Sequence, residues 1–306
     1  MDGRGGSTHA IIHHIGALGP GGGSVALDHG AGSLMHLVDS HGHLQTRAFT
    51  TDASVVLADA RAAGLVRLLV PGFDVPTSHA GIAFAREHAG VDTSVGVHPH
   101  VSAEVGDAEW AVLVRLATDA TVVAVGETGL DYDRGFSPRD AQLANLRRHL
   151  ELAWERRLPL ILHCRSRSGE RDAQDELLRE LASAGVGEGS WRERFGDRPP
   201  AVLHSFSGPV DYAEQALAMG CAVSFSGLVF RRGEEASAAV AALVPDDRLL
   251  TETDSPYLSP PGAPRRNEPR WVAVTARWLA ERRGSDPDTL GAVLVAAYDR
   301  FVGRPG

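Results

Sequence analysis

Histidine and carboxylate side chains recur at the ends of short apolar segments in this chain of 306 residues. Two of them, His41 and His43, are separated by one residue, so in an extended segment both side chains point the same way. Two imidazoles on one side are an ordinary way to hold a divalent ion such as Zn²⁺. The further candidates follow later apolar segments and are Glu127, His163, His204 and Asp254.

Each candidate has an ordinary structural explanation when it is considered alone. An isolated His-x-His pair is weak evidence, and single histidines at strand ends are more often hydrogen-bonded residues than ligands. Glu127 and Asp254 could each cap a helix or form a salt bridge. As a set, four imidazoles and two carboxylates at strand exits are costly to bury without a metal. The set therefore predicts a divalent metal centre.

The absence of lysine limits the chemistry of that centre. All 30 basic residues are arginine, so neither a Schiff-base lysine nor a carbamylated lysine can operate here. If two ions share one bridging ligand, an ordinary carboxylate must supply it. Glu127 follows the fourth predicted strand, across a barrel from the first, and is the natural bridge.

The elements that must position these side chains alternate along the chain. Short β-branched segments are separated by amphipathic helical patterns, of which residues 137–157, 172–184 and 209–219 are the clearest. Eight such alternations predict an α/β protein with a TIM-type (β/α)8 barrel, in which all strand ends meet at one face. An open doubly wound sheet is the alternative, because the strand count alone cannot prove closure. The predicted strands are residues 34–39, 65–70, 93–96, 121–126, 160–163, 201–204, 221–225 and 248–252.

The chain divides into a short extension and one large domain. Residues 1–33 are rich in glycine and lack periodicity, which predicts a poorly ordered extension. Residues 34–306 form the predicted barrel, and the Gly-rich, charged stretch 185–199 is predicted to be a surface loop.

Composition excludes several classes of protein. The apolar runs are too short to span a bilayer, the N-terminus lacks a signal-peptide pattern, and two cysteines cannot form a disulfide framework. We therefore expect a cytoplasmic protein with no membrane contact. The net charge of -9 argues against a nucleic-acid coat protein but not against a nucleic-acid enzyme, because bound cations can supply the positive charge that phosphate requires.

Four further residues are candidates for substrate contact. Arg165, Arg265 and Arg266 follow the fifth and eighth predicted strands, where they could hold backbone phosphates, although solvated loop charge explains any one of them. His98 follows the third strand and suits either a turn-shaping role or substrate contact.

Taken together, the motifs resemble the TatD family of metal-dependent deoxyribonucleases, in the amidohydrolase superfamily, over roughly residues 34–302. One departure is Ser166, which stands where the family usually has an acidic residue. The motifs are Asp39-Ser-His41-Gly-His43-Leu44, Gly96-Val-His98-Pro-His100, Gly126-Glu127-Thr128-Gly129-Leu130-Asp131-Tyr132, His163-Cys-Arg165, His204-Ser-Phe206-Ser-Gly208, Glu252-Thr-Asp254-Ser-Pro256 and Arg266-Asn267-Glu268-Pro269.

The resemblance implies a TIM-type barrel that hydrolyses DNA phosphodiester bonds with two divalent ions. Asp254 would take a proton from the attacking water. Together with Glu127, the bridging carboxylate, it is an expected catalytic residue. By position, one ion would be held by His41, His43, Glu127 and Asp254, and the second by Glu127, His163 and His204.

Three functions remain open from the sequence. The first is an exonuclease-like phosphodiesterase that acts on single-stranded DNA ends with Mg²⁺, Mn²⁺ or Zn²⁺. The second is a metal-dependent hydrolase of an amide, a lactone or an aminoacyl ester, using the same ions. The third is a non-catalytic binding module, which the complete ligand set and the proton acceptor Asp254 disfavour. No obligate protein partner is indicated.

Overall fold

The computed structural model describes residues 35–304, and within them eight parallel strands alternate with helices. The strands are β1 (Leu37–Asp39), β2 (Leu65–Pro71), β3 (Val91–Val95), β4 (Val122–Asp131), β5 (Leu160–Arg165), β6 (Ala201–Leu203), β7 (Ala222–Phe225) and β8 (Leu249–Thr251). The helices are α1 (Ala53–Ala62), α2 (Val75–Glu87), α3 (Asp107–Leu116), α4 (Arg139–Arg156), α5 (Asp172–Ser183), α6 (Gly189–Phe195), α7 (Val210–Ala218), α8 (Ser237–Leu243), α9 (Val272–Arg283) and α10 (Pro287–Val302). The strands follow one another around the sheet in sequence order.

The first and last strands meet, so the sheet closes into a barrel. The backbone N–H of Ser40 donates to the carbonyl of Thr251 at 2.9 Å, and the Thr251 hydroxyl donates to the carbonyl of Val38 at 2.9 Å. Beyond the strand ends, Gly42 and Ser255 form a parallel bridge. The prediction of a (β/α)8 barrel is therefore confirmed, and the open-sheet alternative is wrong.

Alternation along the strands divides the core into two parts. One residue from each of seven strands packs with Tyr298 and Phe301 of α10, which identifies the barrel interior and places α10 across its end. On the third strand, Asp92 accepts a hydrogen bond from the Tyr298 hydroxyl at 2.6 Å instead. Neighbouring strand residues point outwards into the larger core beneath the helices. The seven interior strand residues are Val38, Leu69, Ala124, Ile161, Val202, Ala222 and Leu250.

Three local predictions differ from the structure. Strand β4 continues to Asp131 and does not end at residue 126. The segment 185–199 contains helix α6, whose Trp191 and Phe195 are buried one turn apart, so the prediction of a surface loop there is wrong. Helix α4 begins at Arg139, two residues after the start of the predicted helical pattern, and the Ser137 hydroxyl donates to the carbonyl of His100 at 2.9 Å.

Two further predictions, the poorly ordered extension and the cytoplasmic location, are not tested by the described residues. The extension 1–33 lies outside the described residues, so its predicted disorder stays a prediction. Between residues 35 and 304, no helix has the length and apolar character needed to cross a bilayer. The cytoplasmic location also stays a prediction.

Candidate metal centre

The barrel brings the six predicted ligand residues to one face, at the carboxyl ends of the strands. His41 and His43 follow β1, and His204 and Asp254 follow β6 and β8, while Glu127 and His163 lie within β4 and β5. Five of the six side chains are buried and His163 is largely buried. Residues that are up to 213 positions apart in sequence therefore share one enclosed cluster.

The two carboxylate oxygens of Glu127 face different histidines. Its Oε2 lies 3.2 Å from His41 Nε2 and 3.9 Å from His43 Nε2. Its Oε1 lies 3.2 Å from His163 Nδ1 and 3.1 Å from His204 Nε2. One carboxylate thus stands between two groups of imidazole nitrogens.

Each group is compact enough to hold a cation. In the first, His41 Nε2 and His43 Nε2 are 3.2 Å apart, and Asp254 Oδ1 lies 3.4 Å from His43 Nε2. In the second, His163 Nδ1 and His204 Nε2 are 3.4 Å apart. Imidazole nitrogen and carboxylate oxygen suit Zn²⁺, Mn²⁺ and related ions. The donor set therefore fits divalent metal.

The electrostatics of the cluster favour a bound cation as well. Burial by itself would raise the pKa of Glu127, but His98, His204 and His41 around it hold that pKa well below its usual range. Burial would lower the pKa of His204, yet Glu252 and Glu127 raise it well above its usual value. The carboxylates of the cluster thus stabilise the protonated, positively charged form of His204. A metal ion bound between these groups would take the place of the proton on that imidazole.

An irregularity in strand β4 accompanies the position of Glu127. Between the pairs Val125–Leu160 and Thr128–Leu162, β4 advances three residues while β5 advances two. The extra residue is a β-bulge, which re-aims side chains and is frequent beside active sites. Strand β4 continues past this bulge to Asp131, whereas the sequence pattern predicted that it ends at residue 126.

Left-handed backbone conformations occur beside and at the predicted ligands. Gly126, before Glu127, has φ of 130°, and a Cβ there would lie 2.5 Å from the carbonyl oxygen of Ile161, so only glycine fits. Asp254 has φ of 53°, and its N–H donates to the carbonyl of His41 at 2.8 Å. A strained conformation at a proposed ligand is typical of functional sites.

Two further carboxylates, Glu252 and Asp131, contact imidazoles of the predicted ligand set, and this role was not predicted for them from the sequence. Glu252 Oε1 lies 3.0 Å from His204 Nδ1, which leaves Nε2 of that ring turned to Glu127. Asp131 Oδ2 lies 3.2 Å from His163 Nε2 and 2.7 Å from His100 Nε2. Such partners fix ring orientation and tautomer. In the sequence, the only indication of this role is that Asp131 and Glu252 lie within the motifs at the ends of β4 and β8.

Removal of the Glu252 carboxylate should weaken metal binding without removing a ligand. We expect Glu252→Ala to lower metal affinity about 10- to 100-fold, because His204 loses the partner that holds its ring. Glu252→Gln keeps an acceptor for the Nδ1 proton and should fall between the wild type and the alanine variant. Titration of the apoprotein with Zn²⁺ against a competing chelator measures the affinity.

The matched control for Glu252 is Glu234→Gln. Glu234 is a half-buried carboxyl that accepts a hydrogen bond from Ser207 at 2.9 Å, outside the cluster. Its loss should leave metal affinity unchanged. Equal affinity in wild type and Glu252→Ala would show that Glu252 does not orient the ligand.

The four residues predicted to contact substrate lie in different environments. His98 is buried, with its Nε2 at 3.2 Å from Glu127 Oε1, so it joins the cluster. Burial first, and then the His163 and His100 charges, outweigh Glu127 and lower the pKa of His98 to about 3. Arg165 forms an ion pair with Asp133 at 2.9 Å.

The two arginines after β8 also differ from each other. Arg266 donates to both oxygens of Asp52, at 3.1 and 2.8 Å, and its guanidinium stacks over Phe49. Its charge is therefore engaged in holding two loops together. Arg265 is exposed, and its backbone carbonyl accepts a hydrogen bond from Ser259. Of this pair, Arg265 is the more exposed to solvent.

A further group of possible ligand atoms adjoins the cluster. His98, His100 and His163 present nitrogens within 4.8 Å of one another. The nearby Asp131 carboxylate lies within hydrogen-bonding distance of two of these rings. We interpret this group as the outer wall of the second ligand group.

A closed (β/α)8 barrel with a buried cluster of imidazoles and carboxylates at its carboxyl face defines a metal-dependent hydrolase. The family model described as TatD related DNase matches residues 38–303. The chain belongs to the TatD family, as its motifs predicted.

Relatives with assigned names agree with this membership. The chain is 38% identical over 266 residues to the "3'-5' ssDNA/RNA exonuclease TatD" of Cronobacter sakazakii, covering 85% of this chain and 95% of the relative. It is 33% identical over 246 residues to the "uncharacterized metal-dependent hydrolase YabD" of Bacillus subtilis, covering 80% and 90%. Among solved structures, the TatD homologue YJJV of Escherichia coli has a TM-score of 0.75 and 26% identity, over 89% of this chain and 100% of that one.

Proposed function

We propose that this enzyme is an exonuclease that removes nucleotides from the ends of single-stranded DNA, using two divalent cations. The observation that carries the proposal is Glu127, whose two oxygens face two separate groups of ligand atoms at 3.1–3.9 Å. The relative from Cronobacter, named a 3'-5' exonuclease of single-stranded DNA and RNA, supports both the substrate and a 3'-to-5' direction.

The cations would be held by six residues of this chain. His41, His43 and Asp254 would hold one ion, His163 and His204 would hold the second, and Glu127 would bridge them. When bound, two divalent ions attract a phosphodiester, polarise its oxygens and lower the pKa of water. They also supply positive charge in a protein whose net charge is -9.

Asp254 is our candidate for the proton acceptor. Burial by itself would raise its pKa, but the hydrogen bond with His43 and the charges of His41, His43 and His204 lower it. The carboxylate therefore stays ionised near neutral pH. Its side chain is 12% exposed, against 5% for those of His43 and Glu127, and it would accept a proton from an attacking water there.

His98 and the loop arginines would position the substrate. His98 stands beside Glu127 Oε1, at the side of the second ligand group, and can donate a hydrogen bond to a phosphate there. Arg165 and Arg265 are suited to contact more distant phosphates. Arg266, which is bound to Asp52, would shape the loop that carries Arg265.

The test is an assay of 5'-labelled oligonucleotides with Mg²⁺, Mn²⁺ or Zn²⁺. We expect single-stranded DNA to be shortened stepwise from its 3' end and to be cleaved faster than the matched duplex, with RNA as a second substrate. EDTA should abolish the reaction. A panel of amides, lactones and aminoacyl esters runs in parallel with the same protein. Turnover of that panel with intact oligonucleotides would contradict the proposal and favour a hydrolase of carbon-centred bonds.

A further inference from the structure

One aromatic side chain near the cluster is conspicuously exposed. Phe136, between β4 and α4, is 60% exposed. Within residues 35–304, the other exposed large hydrophobic side chains are Val55, at 63%, and Trp154, at 37%. Trp154 lies near the C-terminal end of α4, away from the ligand-bearing face. Because its ring is exposed, Phe136 contributes little to the stability of the fold through the hydrophobic effect, and its apolar surface is available to bind a ligand.

The ring of Phe136 is connected to the cluster through two histidines. It meets the ring of His100 with centroids 4.8 Å apart and planes at 83°. The His100 ring lies 4.2 Å from that of His98, whose Nε2 is 3.2 Å from Glu127 Oε1. The exposed ring therefore stands at the rim of the site, on the side of the second ligand group.

The segment that carries Phe136 is fixed by several hydrogen bonds. Ser137 donates its hydroxyl proton to the carbonyl of His100 and accepts from the N–H of Ala103 at 3.2 Å. At the other end of the segment, Asp131 Oδ1 accepts from the N–H of Arg134 at 2.9 Å. A ring held in this way is preorganised, so little side-chain and loop entropy is lost when a partner binds.

We propose that Phe136 is a stacking platform for a nucleobase of the single-stranded substrate, next to the phosphate that is cleaved. The proposal rests on the nuclease function proposed above and explains a preference for unpaired strands, because bases in a duplex are already stacked on each other. Stacking on an aromatic ring tolerates any base, as an exonuclease requires. A single exposed ring is too small for a protein docking surface, which is a contiguous patch of several hundred Å².

The test compares two substrates that differ only in how well their bases stack. One is an oligothymidylate, and the other carries 5,6-dihydrothymidine at its 3'-terminal positions, where the saturated ring is not planar. We expect Phe136→Ala to lower kcat/KM on the first about 5- to 150-fold, which corresponds to about 1–3 kcal/mol for one stacked base. On the second, wild type and Phe136→Ala should be nearly equal.

Two variants serve as controls for this comparison. Phe136→Tyr keeps the ring and should retain wild-type discrimination between the two substrates. Trp154→Ala removes an exposed aromatic at the far end of α4 and should change neither rate. Both substrates are assayed with the same preparation, so a folding defect in Phe136→Ala would lower both rates and leave their ratio as in wild type.

The outcomes separate the two proposals. Wild-type cleavage of the oligothymidylate tests the nuclease function, whereas the ratio of rates tests the platform. An unchanged ratio in Phe136→Ala, with cleavage intact in wild type, would overturn the stacking role alone. Failure of the wild-type protein to cleave either oligonucleotide would overturn both.

Discussion

Glu127→Ala should lose more bound metal than any other single substitution of a ligand. Its two oxygens face two groups of ligand atoms, so its removal takes one ligand from each. His43→Ala removes a ligand from one group only. With a two-ion centre, we expect wild type to carry about two equivalents of metal, His43→Ala about one, and Glu127→Ala well below one. Elemental analysis after dialysis, with turnover on an oligonucleotide, measures both effects.

Two further variants distinguish the loss of a metal ligand from a folding defect. Glu127→Gln keeps the size of the side chain and one oxygen, and should retain more metal than the alanine variant. Glu235→Ala removes an exposed carboxylate after β7 and should carry the full metal content. Thermal melting in the presence of a chelator compares the stabilities of the apoproteins. A Glu127→Ala protein with two tightly bound ions would disprove the bridging role.

Asp254→Asn should separate metal binding from catalysis. Asparagine has nearly the same shape and accepts the left-handed backbone conformation that Asp254 adopts at φ of 53°. Its amide oxygen can still ligate weakly, but it cannot accept a proton. We therefore expect turnover to fall about 10²- to 10⁴-fold, the usual contribution of general base catalysis, while a substantial part of the metal remains.

The measurement for Asp254 is kcat together with metal content in one buffer. His43→Ala is the matched comparison, because it removes a contact of Asp254 and should lose activity in step with metal. If Asp254→Asn retains more than about a tenth of wild-type kcat with its metal intact, a general base is not needed at this position. If it loses metal as completely as Glu127→Ala, Asp254 acts as a ligand first.

The local features of the fold were predictable because they depend on neighbouring residues. Strand and helix periodicity is a property of short segments, and the predicted strands overlap all eight observed ones. Helix α6 was missed because its flanking glycines and charged residues resemble a loop, although Trp191 and Phe195 are spaced to pack on one side. Strand β4 was predicted too short because a bulge at Glu127 interrupts the alternation of its inward- and outward-facing side chains.

The candidate site was predictable in composition but not in arrangement. The sequence named the residues that could ligate metal, since imidazoles and carboxylates at strand exits are uncommon without a role. It did not indicate that Glu252 orients His204 or that Asp131 holds His163, because a carboxylate near a ligand in sequence could equally face solvent. It also suggested substrate contact for Arg266, whose guanidinium is engaged by Asp52.

By itself the sequence indicated the barrel class, the candidate metal ligands and membership of the TatD family, because these follow from residue chemistry and local spacing. Only the tertiary structure decided that the barrel closes and that the two oxygens of Glu127 face separate groups of nitrogens. It also decided that Phe136 stands exposed beside His100. The physical reason is that each of these features joins residues from different strands or loops. Their distances are set by how the whole barrel packs, and no short segment contains that information.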